Sequence, residues 1–425
     1  MEIVLLLIAT PILVVAFWAM TKPETPVTIL FLASTMSSVS FALGPANLRI
    51  DAVVAPIVLI AALFMKRSAP RTPRDRWRRI FGVTLAGLVA LAIFSSAANA
   101  PEPIRSYFML GNFALGGMVF FFLTPLALNW RRVVIICTWG LALLCALSIA
   151  ELLIAPGATQ LTAPPQGGDG YRVRGLALEP NLMATMCAGW LGVLFYWRSV
   201  LTRIYLLPAC LIAAAAVLTN TRAAWVSIAI TCGFALWTLR SRLVWALPAM
   251  AALVAAITVI LASEIGNAER GSFGWKLLNL FASDSGTGLY RIRTWDIAFQ
   301  DLSTADGYIA GLGVNSYSQR HPVDLTGAVE GYLSNVWIGW LYDGGVLALL
   351  LFVVLIVSAF MYSKNRWDAI PAFVAVLLGA SLTNPLWMTF PWLILVFSTA
   401  VVEENRSRTT APIAGGERER DRFYA

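Results

Sequence analysis

The sequence predicts an all-α, polytopic membrane protein with about 12–13 transmembrane helices and one large loop on the outer side. Three observations carry this. The chain is 59% hydrophobic and only 13% charged, where a soluble domain carries roughly 25% charged residues. Its apolar runs reach about 20 residues, the length that spans a ~30 Å hydrocarbon core. The gaps between them are alternately rich and poor in arginine, the signature of cytoplasmic and outer loops. Membrane strands would be short and alternating, whereas these runs are continuously apolar.

In chain order the runs place spans near 2–20, 25–43, 50–65, 79–98, 106–125, 133–153, 180–197, 203–219, 223–239, 243–262, 336–360, 368–382 and 386–402. The first, Glu2–Met20, lacks a basic leader and a small-residue cleavage site, so it reads as a retained span rather than a signal peptide. The densest basic loop, Lys66–Arg79, is assigned to the cytoplasm. Alternation then puts Arg131–Arg132, Arg198–Arg203, Arg240–Arg242, Lys364–Arg366 and the C-terminal tail on the same side. Four segments fall outside: Ala155–Glu179, the turn Thr219–Arg222, the large loop Ser263–Asn335 and the turn Thr383–Trp387. The chain thus divides into an N-terminal bundle (1–262), a large outer loop (263–335), C-terminal helices (336–402) and a polar tail (403–425) expected to be disordered. The loop is too short for an ordinary domain and reads as a lid on the bundle, with short interfacial helices such as Phe273–Ala282.

The five cysteines all lie in apolar runs and read as packing residues, with no disulfide framework. The single histidine, His321, cannot form a histidine cluster, and no Cys/His metal spacing exists. The net charge of +8 is mostly cytoplasmic arginine, which argues for topology and against nucleic acid.

Arg172, Arg174, Arg222, Arg291, Arg293 and Arg320 fall in the outer gaps, against the topological bias. They point to an anionic ligand at the outer surface. In Tyr171–Ala184, YRVRGLALEPNLMA, Pro180 takes the first helical position, where its missing N–H costs nothing. Glu179 stands at the helix entrance, favoured by the dipole. Arg172 suits a headgroup contact by snorkelling as well as a ligand; Arg174, beside Gly175, points to the ligand. Arg222 has almost no loop around it, so it belongs at or just below the membrane surface, where an arginine favours a partner. Phosphate matches the guanidinium fork. In Leu289–Leu302, Arg291 and Trp295 share a helical face at i, i+4. Gly311–Gly313 reads as a flexible turn ahead of Arg320 and His321. Trp275 and Tyr308 read as membrane-interface aromatics.

In this order, over roughly Leu152–Phe352, these pieces resemble the bacterial O-antigen ligase and polymerase family. The family's Arg, Gly, acidic-Pro-Asn element matches Arg174, Gly175 and Glu179–Pro180–Asn181. Its Ser/Thr-Arg turn matches Thr221–Arg222, its Arg-x-x-x-Trp helix Arg291–Trp295, and its Gly-x-Gly Gly311–Gly313. Its later helix start matches Asn335, Asp343 and Gly345. Where ligases carry a histidine just before that asparagine, this chain has Ser334, which favours a polymerase of exopolysaccharide or O-antigen over a lipid A-core ligase.

The resemblance implies a GT-C-like architecture in the bacterial inner membrane, with its site facing the periplasm. It implies a glycosyltransferase whose donor is an undecaprenyl-pyrophosphate-linked glycan and whose activated leaving group requires no cofactor, nucleotide or metal. Arg174, Arg222 and Arg291, with Arg293 and Arg320, are then expected at the pyrophosphate. Asn181, Trp295 and Asn335 are expected on other parts of the substrate. Glu179, His321, Asp324 and Glu330 remain open as general bases. The expected partners are the lipid-linked glycan, the bilayer and a polysaccharide chain-length regulator. The competing classes are a ligase, a transporter or flippase of lipid-linked glycan, and a non-catalytic envelope scaffold.

Overall fold

The computed structural model describes residues 22–43, 46–65, 74–159, 161–164, 171–201, 205–238, 286–304, 307–323 and 331–401. The runs expected to span at 2–20 and 243–262, the interfacial segment 273–282 and the tail 403–425 lie outside them. Within them the chain is almost entirely helical: α1 Glu24–Ser34, α2 Ile50–Phe64, α3 Asp75–Asn99, α4 Pro103–Leu123, α5 Trp130–Ile154, α6 Pro180–Tyr196, α7 Leu206–Leu218, α8 Arg222–Thr238, α9 Gly286–Thr304, α10 Gly307–Ala310, α11 Ser316–Arg320, α12 Val336–Tyr362, α13 Arg366–Leu382 and α14 Thr389–Phe397. Two small antiparallel pairs accompany them, β1 Ser40–Leu43 with β2 Ala46–Arg49, and β3 Thr162–Ala163 with β4 Arg172–Val173.

Among the described residues four helices, α3, α4, α5 and α12, are long and apolar enough to cross a membrane. Their outward faces carry exposed Val83, Phe94, Leu143, Leu147, Leu347 and Leu350, side chains that suit hydrocarbon rather than water. The all-α polytopic membrane architecture read from the sequence is the one observed. At the centre, α6 and α14 are buried on nearly every face, as a helix apolar all round should be. α14 is only nine residues long, much shorter than the expected span 386–402. α13 lies along α6 and α12 along α3. An aromatic cluster fills the space between them: the Phe113 ring meets Trp340, Trp387 and Trp392 at centroid distances of 4.7, 5.7 and 5.4 Å.

One expected span is corrected. The run 25–43 is not a single crossing: α1 stops at Ser34 and the chain turns into the β1–β2 hairpin. The cause is the hydroxyl cluster at its end. Ser34 and Thr35 donate to the carbonyls of Phe31 and Leu32 at 2.6 and 2.7 Å, the kind of local bond that competes with helix continuation.

The loops segregate to two ends. At the basic end Arg198 pairs with Asp368 at 2.9 Å, Trp197 Nε1 donates to the Phe397 carbonyl, and Glu24 accepts from the Asn129 N–H. At the other end Leu178 N–H donates to Ser37, Arg49 to the Trp387 carbonyl, and Asn99 to the Gly311 carbonyl. This is the grouping that arginine alternation predicts for the described loops. Asp51, fully buried, holds Arg49 at 3.1 Å and accepts the Thr389 N–H. It joins the hairpin to the start of α14.

α12 breaks at Gly345, whose φ of 73° and ψ of −172° no helical residue adopts. The break turns the Tyr342 and Asp343 carbonyls out of the helical ladder, and they accept the N–H groups of Leu312 and Gly313. The buried Asp343 carboxylate accepts the Asn315 N–H at 3.1 Å. Gly311–Gly313 was expected to be a flexible turn. It is instead stitched to α12, because every polar backbone group of so tight a turn must find a partner once buried. This stitching fixes the segment between α10 and α11 onto α12. Below it Ala298, Leu302, Leu312, Tyr317, Leu333 and Tyr342 form a second, separate core.

Candidate functional site

Three stretches far apart in sequence meet at the end opposite the basic loops. The first is the entrance to α6. Arg174 and Gly175 both donate their N–H groups to the Leu161 carbonyl, and Gly175 takes φ 62°, a left-handed conformation that glycine adopts without cost. The turn delivers Glu179 to the N-cap position of α6, with Pro180 at the first helical position. The second stretch joins α7 to α8. Asn220 takes φ 53°, which asparagine tolerates, and Thr221 becomes the residue whose carbonyl starts α8. The third is α9, which carries Tyr290, Arg291 and Trp295, together with Tyr332 on the segment before α12.

The Thr221 hydroxyl does not cap its own helix. It donates to Asn181 Oδ1 at 3.1 Å. With that oxygen engaged, the Asn181 amide is oriented so that its NH2 donates to the Glu179 carboxylate. A hydrogen-bond chain therefore runs from Thr221 through Asn181 to Glu179 and ties the N-termini of α8 and α6 together.

Around this chain the charges are mostly of one sign. Burial pushes the Glu179 carboxyl above its usual range, against the pull of Arg172, of Arg291 and of the Asn181 bond. Burial, with the neighbouring Arg222 guanidinium, pulls Arg291 down, while Tyr332 and Glu179 support its charge. Burial likewise pushes the Tyr332 phenol up, with Glu179 adding to the effect, so Tyr332 remains a neutral donor. Arginine does not give up its proton in such settings. Two guanidiniums thus act on one carboxylate and a third, Arg222, acts on one of those two, next to two helix N-termini whose dipoles add positive potential. Such an arrangement favours an added anion, and the two-donor fork of arginine matches phosphate oxygens.

The other candidate residues are distributed as follows. Arg172, equally suited by sequence to a headgroup, is the arginine whose field bears most on Glu179. Arg174 lies two residues on, in the same turn. Arg293 is exposed on α9. Arg320 donates to the Asn99 carbonyl at 2.9 Å, where its charge suits the C-terminus of α3. His321 Nε2 lies 2.8 Å from Asp301 Oδ2, the oxygen that also accepts the Tyr342 hydroxyl at 2.6 Å. Trp295 borders the second core, and its buried indole N–H has no hydrogen-bond partner among the described residues. The Asn335 side chain accepts the N–H groups of Trp337 and Ile338, an N-cap for α12. Ser334 is 2% exposed, its hydroxyl likewise without a partner among the described residues. Asp324 and Glu330 lie outside the described residues. The sequence reading missed Tyr332, Asp301 and the link from Thr221 to Asn181. Only the hydroxyl preceding Arg222 was a visible signal for any of them.

Residues 207–353 match the family model described as Wzy_C, O-antigen ligase. The matched segment runs from α7 into α12 and contains Thr221, Arg222, Arg291, Trp295 and the Gly311–Gly313 turn; Arg172, Glu179 and Asn181 precede it. No curated protein matches the chain.

Proposed function

Taking as premise that this membrane protein carries an O-antigen ligase family segment, we propose that it is a glycosyltransferase using a lipid-pyrophosphate-linked glycan, and that it polymerises such repeat units at the periplasmic face of the inner membrane. The observation that carries the reading is that Arg172 and Arg291 act on the Glu179 carboxylate and Arg222 acts on Arg291, at two helix entrances tied by Thr221 and Asn181. In the proposed reaction an acceptor sugar hydroxyl attacks the anomeric carbon, and the polyprenyl pyrophosphate leaves with the bonding electron pair. Negative charge grows on the pyrophosphate as that bond breaks. Guanidiniums already in place stabilise it most where water is scarce. Trp295 offers a ring and a buried N–H donor for a sugar near Arg291.

Polymerase is favoured over ligase by Ser334. It stands where the resembled ligases carry histidine, and a buried hydroxyl takes no proton near neutral pH. The test is reconstitution of the full chain with lipid-linked repeat units, with products resolved by chain length. A ladder of polymers with released polyprenyl pyrophosphate supports the polymerase. Transfer only when a lipid A-core acceptor is added means a ligase. No transfer to either acceptor by folded protein overturns the enzyme reading in favour of a transporter or scaffold.

A further inference from the structure

We infer that Glu179 is the base that takes the proton from the attacking sugar hydroxyl, held in place by the Thr221–Asn181 hydrogen-bond chain between Arg172 and Arg291; the inference rests on the glycosyl-transfer reading above.

Placement favours it over His321, the other candidate among the described residues. The anomeric carbon is bonded directly to the pyrophosphate, and the incoming oxygen must approach that carbon to roughly 3–3.5 Å. A base must in turn lie within hydrogen-bond reach of that oxygen. In a displacement that oxygen enters opposite the leaving pyrophosphate, so the base belongs one sugar ring away from the guanidiniums that hold the pyrophosphate and still within their field. Glu179 feels both Arg172 and Arg291. His321 is committed to Asp301, which lies ten residues beyond Arg291 on α9. At ~1.5 Å rise per residue that is ~15 Å along the helix axis, a long way from the charge cluster.

The orientation of the carboxylate is not left to chance. Asn181 donates to it, and Thr221 fixes the Asn181 amide. The charged and titratable groups acting on Glu179 are Arg172 and Arg291; Tyr332 is coupled to both Glu179 and Arg291, and Arg222 acts on Arg291. This arrangement couples the base to the donor. While the site is empty the guanidiniums offset part of the rise that burial imposes on the carboxyl. A seated pyrophosphate offsets their charge and adds its own, and both effects make Glu179 more basic. The proton then passes from the acceptor hydroxyl to Glu179 as the new glycosidic C–O bond forms and the bond to pyrophosphate breaks. Departure of the pyrophosphate restores the field of the arginines and returns the proton to solvent.

The test uses full-length protein in liposomes, with Glu179→Gln compared with wild type for binding of polyprenyl pyrophosphate and for glycan transfer. Glutamine keeps the acceptor oxygen for Asn181 but takes no proton. The expected result is retained lipid-pyrophosphate binding, which also reports a folded site, with transfer reduced by about 10²–10⁴-fold, the usual contribution of a general base. Azide, already an anion, needs no base; in Glu179→Ala it should restore release of polyprenyl pyrophosphate and form a glycosyl azide. Transfer by Glu179→Gln at the wild-type rate overturns the inference and leaves the glycosyl-transfer reading intact. Transfer lost in His321→Gln but kept in Glu179→Gln moves the base to His321 and also overturns it. No transfer by wild type overturns both the inference and the reading beneath it.

Discussion

The Thr221 hydroxyl donates to Asn181 Oδ1 across 3.1 Å, joining residues forty positions apart and locking the entrance of α8 to that of α6. Valine at 221 keeps the volume and removes the donor. Loss of one such bond costs about 0.5–1.5 kcal/mol, which at ~1.4 kcal/mol per tenfold lowers the transfer rate by roughly two- to twelvefold. Because Asn181 orients Glu179 rather than the donor, kcat should fall with KM for the lipid-linked donor unchanged, and Thr221→Ser should recover it. A rise in KM without a fall in kcat would place Thr221 in donor binding instead.

Arg222, at the start of α8, bears electrostatically on Arg291 of α9. Arg222→Ala and Arg291→Ala should each lose about 10²–10³-fold in transfer, the usual cost of removing one transition-state donor, while membrane insertion is retained. Arg291→Lys should recover little, because an ammonium keeps the charge but lacks the planar fork. Normal polymer length and yield in both alanine variants would count heavily against the site.

The break in α12 belongs to Gly345. A Cβ there would run into the Ile309 carbonyl oxygen, and its backbone region is essentially restricted to glycine, at about 1–3 kcal/mol for other residues. Gly345→Ala should therefore lower thermal stability and release the Gly311–Gly313 turn from α12. Hydrogen exchange at the Leu312 and Gly313 amides measures this directly. Unchanged protection of those two amides would show that the turn does not depend on the break.

His321, Asp301 and Tyr342 pin α11 and α9 to α12. The His321 and Asp301 side chains are 31% and 25% exposed, so solvent screens the pair and about 0–1 kcal/mol is expected from it. Tyr342→Phe should increase protease cleavage within 307–320, with only a small fall in melting temperature. Cleavage no faster than in wild type would mean that the apolar contacts of the second core hold the lid unaided.

The pH dependence follows from Glu179. Burial raises its carboxyl above the usual range in spite of Arg172 and Arg291. The acid limb of kcat/KM should therefore fall at a higher pH than an exposed glutamate would give. Arg172→Gln removes a lowering influence and should shift the limb further upward; Glu179→Gln should abolish it. For stability the sign is the reverse of a salt-bridged acid. A raised carboxyl is favourable only while protonated, below its unfolded value, and that benefit is lost as pH rises through the folded value. Glu179→Gln should thus melt higher than wild type at neutral pH, with the difference shrinking as pH falls.

Apolar run length marked α3, α4, α5 and α12 correctly, because lipid-facing helices must satisfy their backbone internally and cover it with apolar side chains. The same reasoning overextended at α1 and α14. The apolar character of a run does not register a serine–threonine cluster that ends a helix. Nor does it separate a helix buried in protein from one bathed in lipid, since both are apolar all round. Among the site residues, Arg222 and Arg291 stood out because they fall in the gaps that arginine alternation expects to be outer, where a charge near the membrane is costly and hence informative. Tyr332 and Asp301 left no such mark, being ordinary residues in an ordinary polar stretch.

What the sequence determined by itself was the solvent each segment accepts: which stretches enter lipid, and which arginines stand against the topological bias. Those are properties of local composition and need no partner. Only the tertiary structure decided that Arg172, Glu179, Arg222 and Arg291 share one site, that Asn181 links Thr221 to Glu179, and that Gly345 opens α12 to receive the Gly311–Gly313 turn. Each depends on two or three helices meeting at a particular register. Packing across the whole bundle sets that register, and no stretch of sequence contains it.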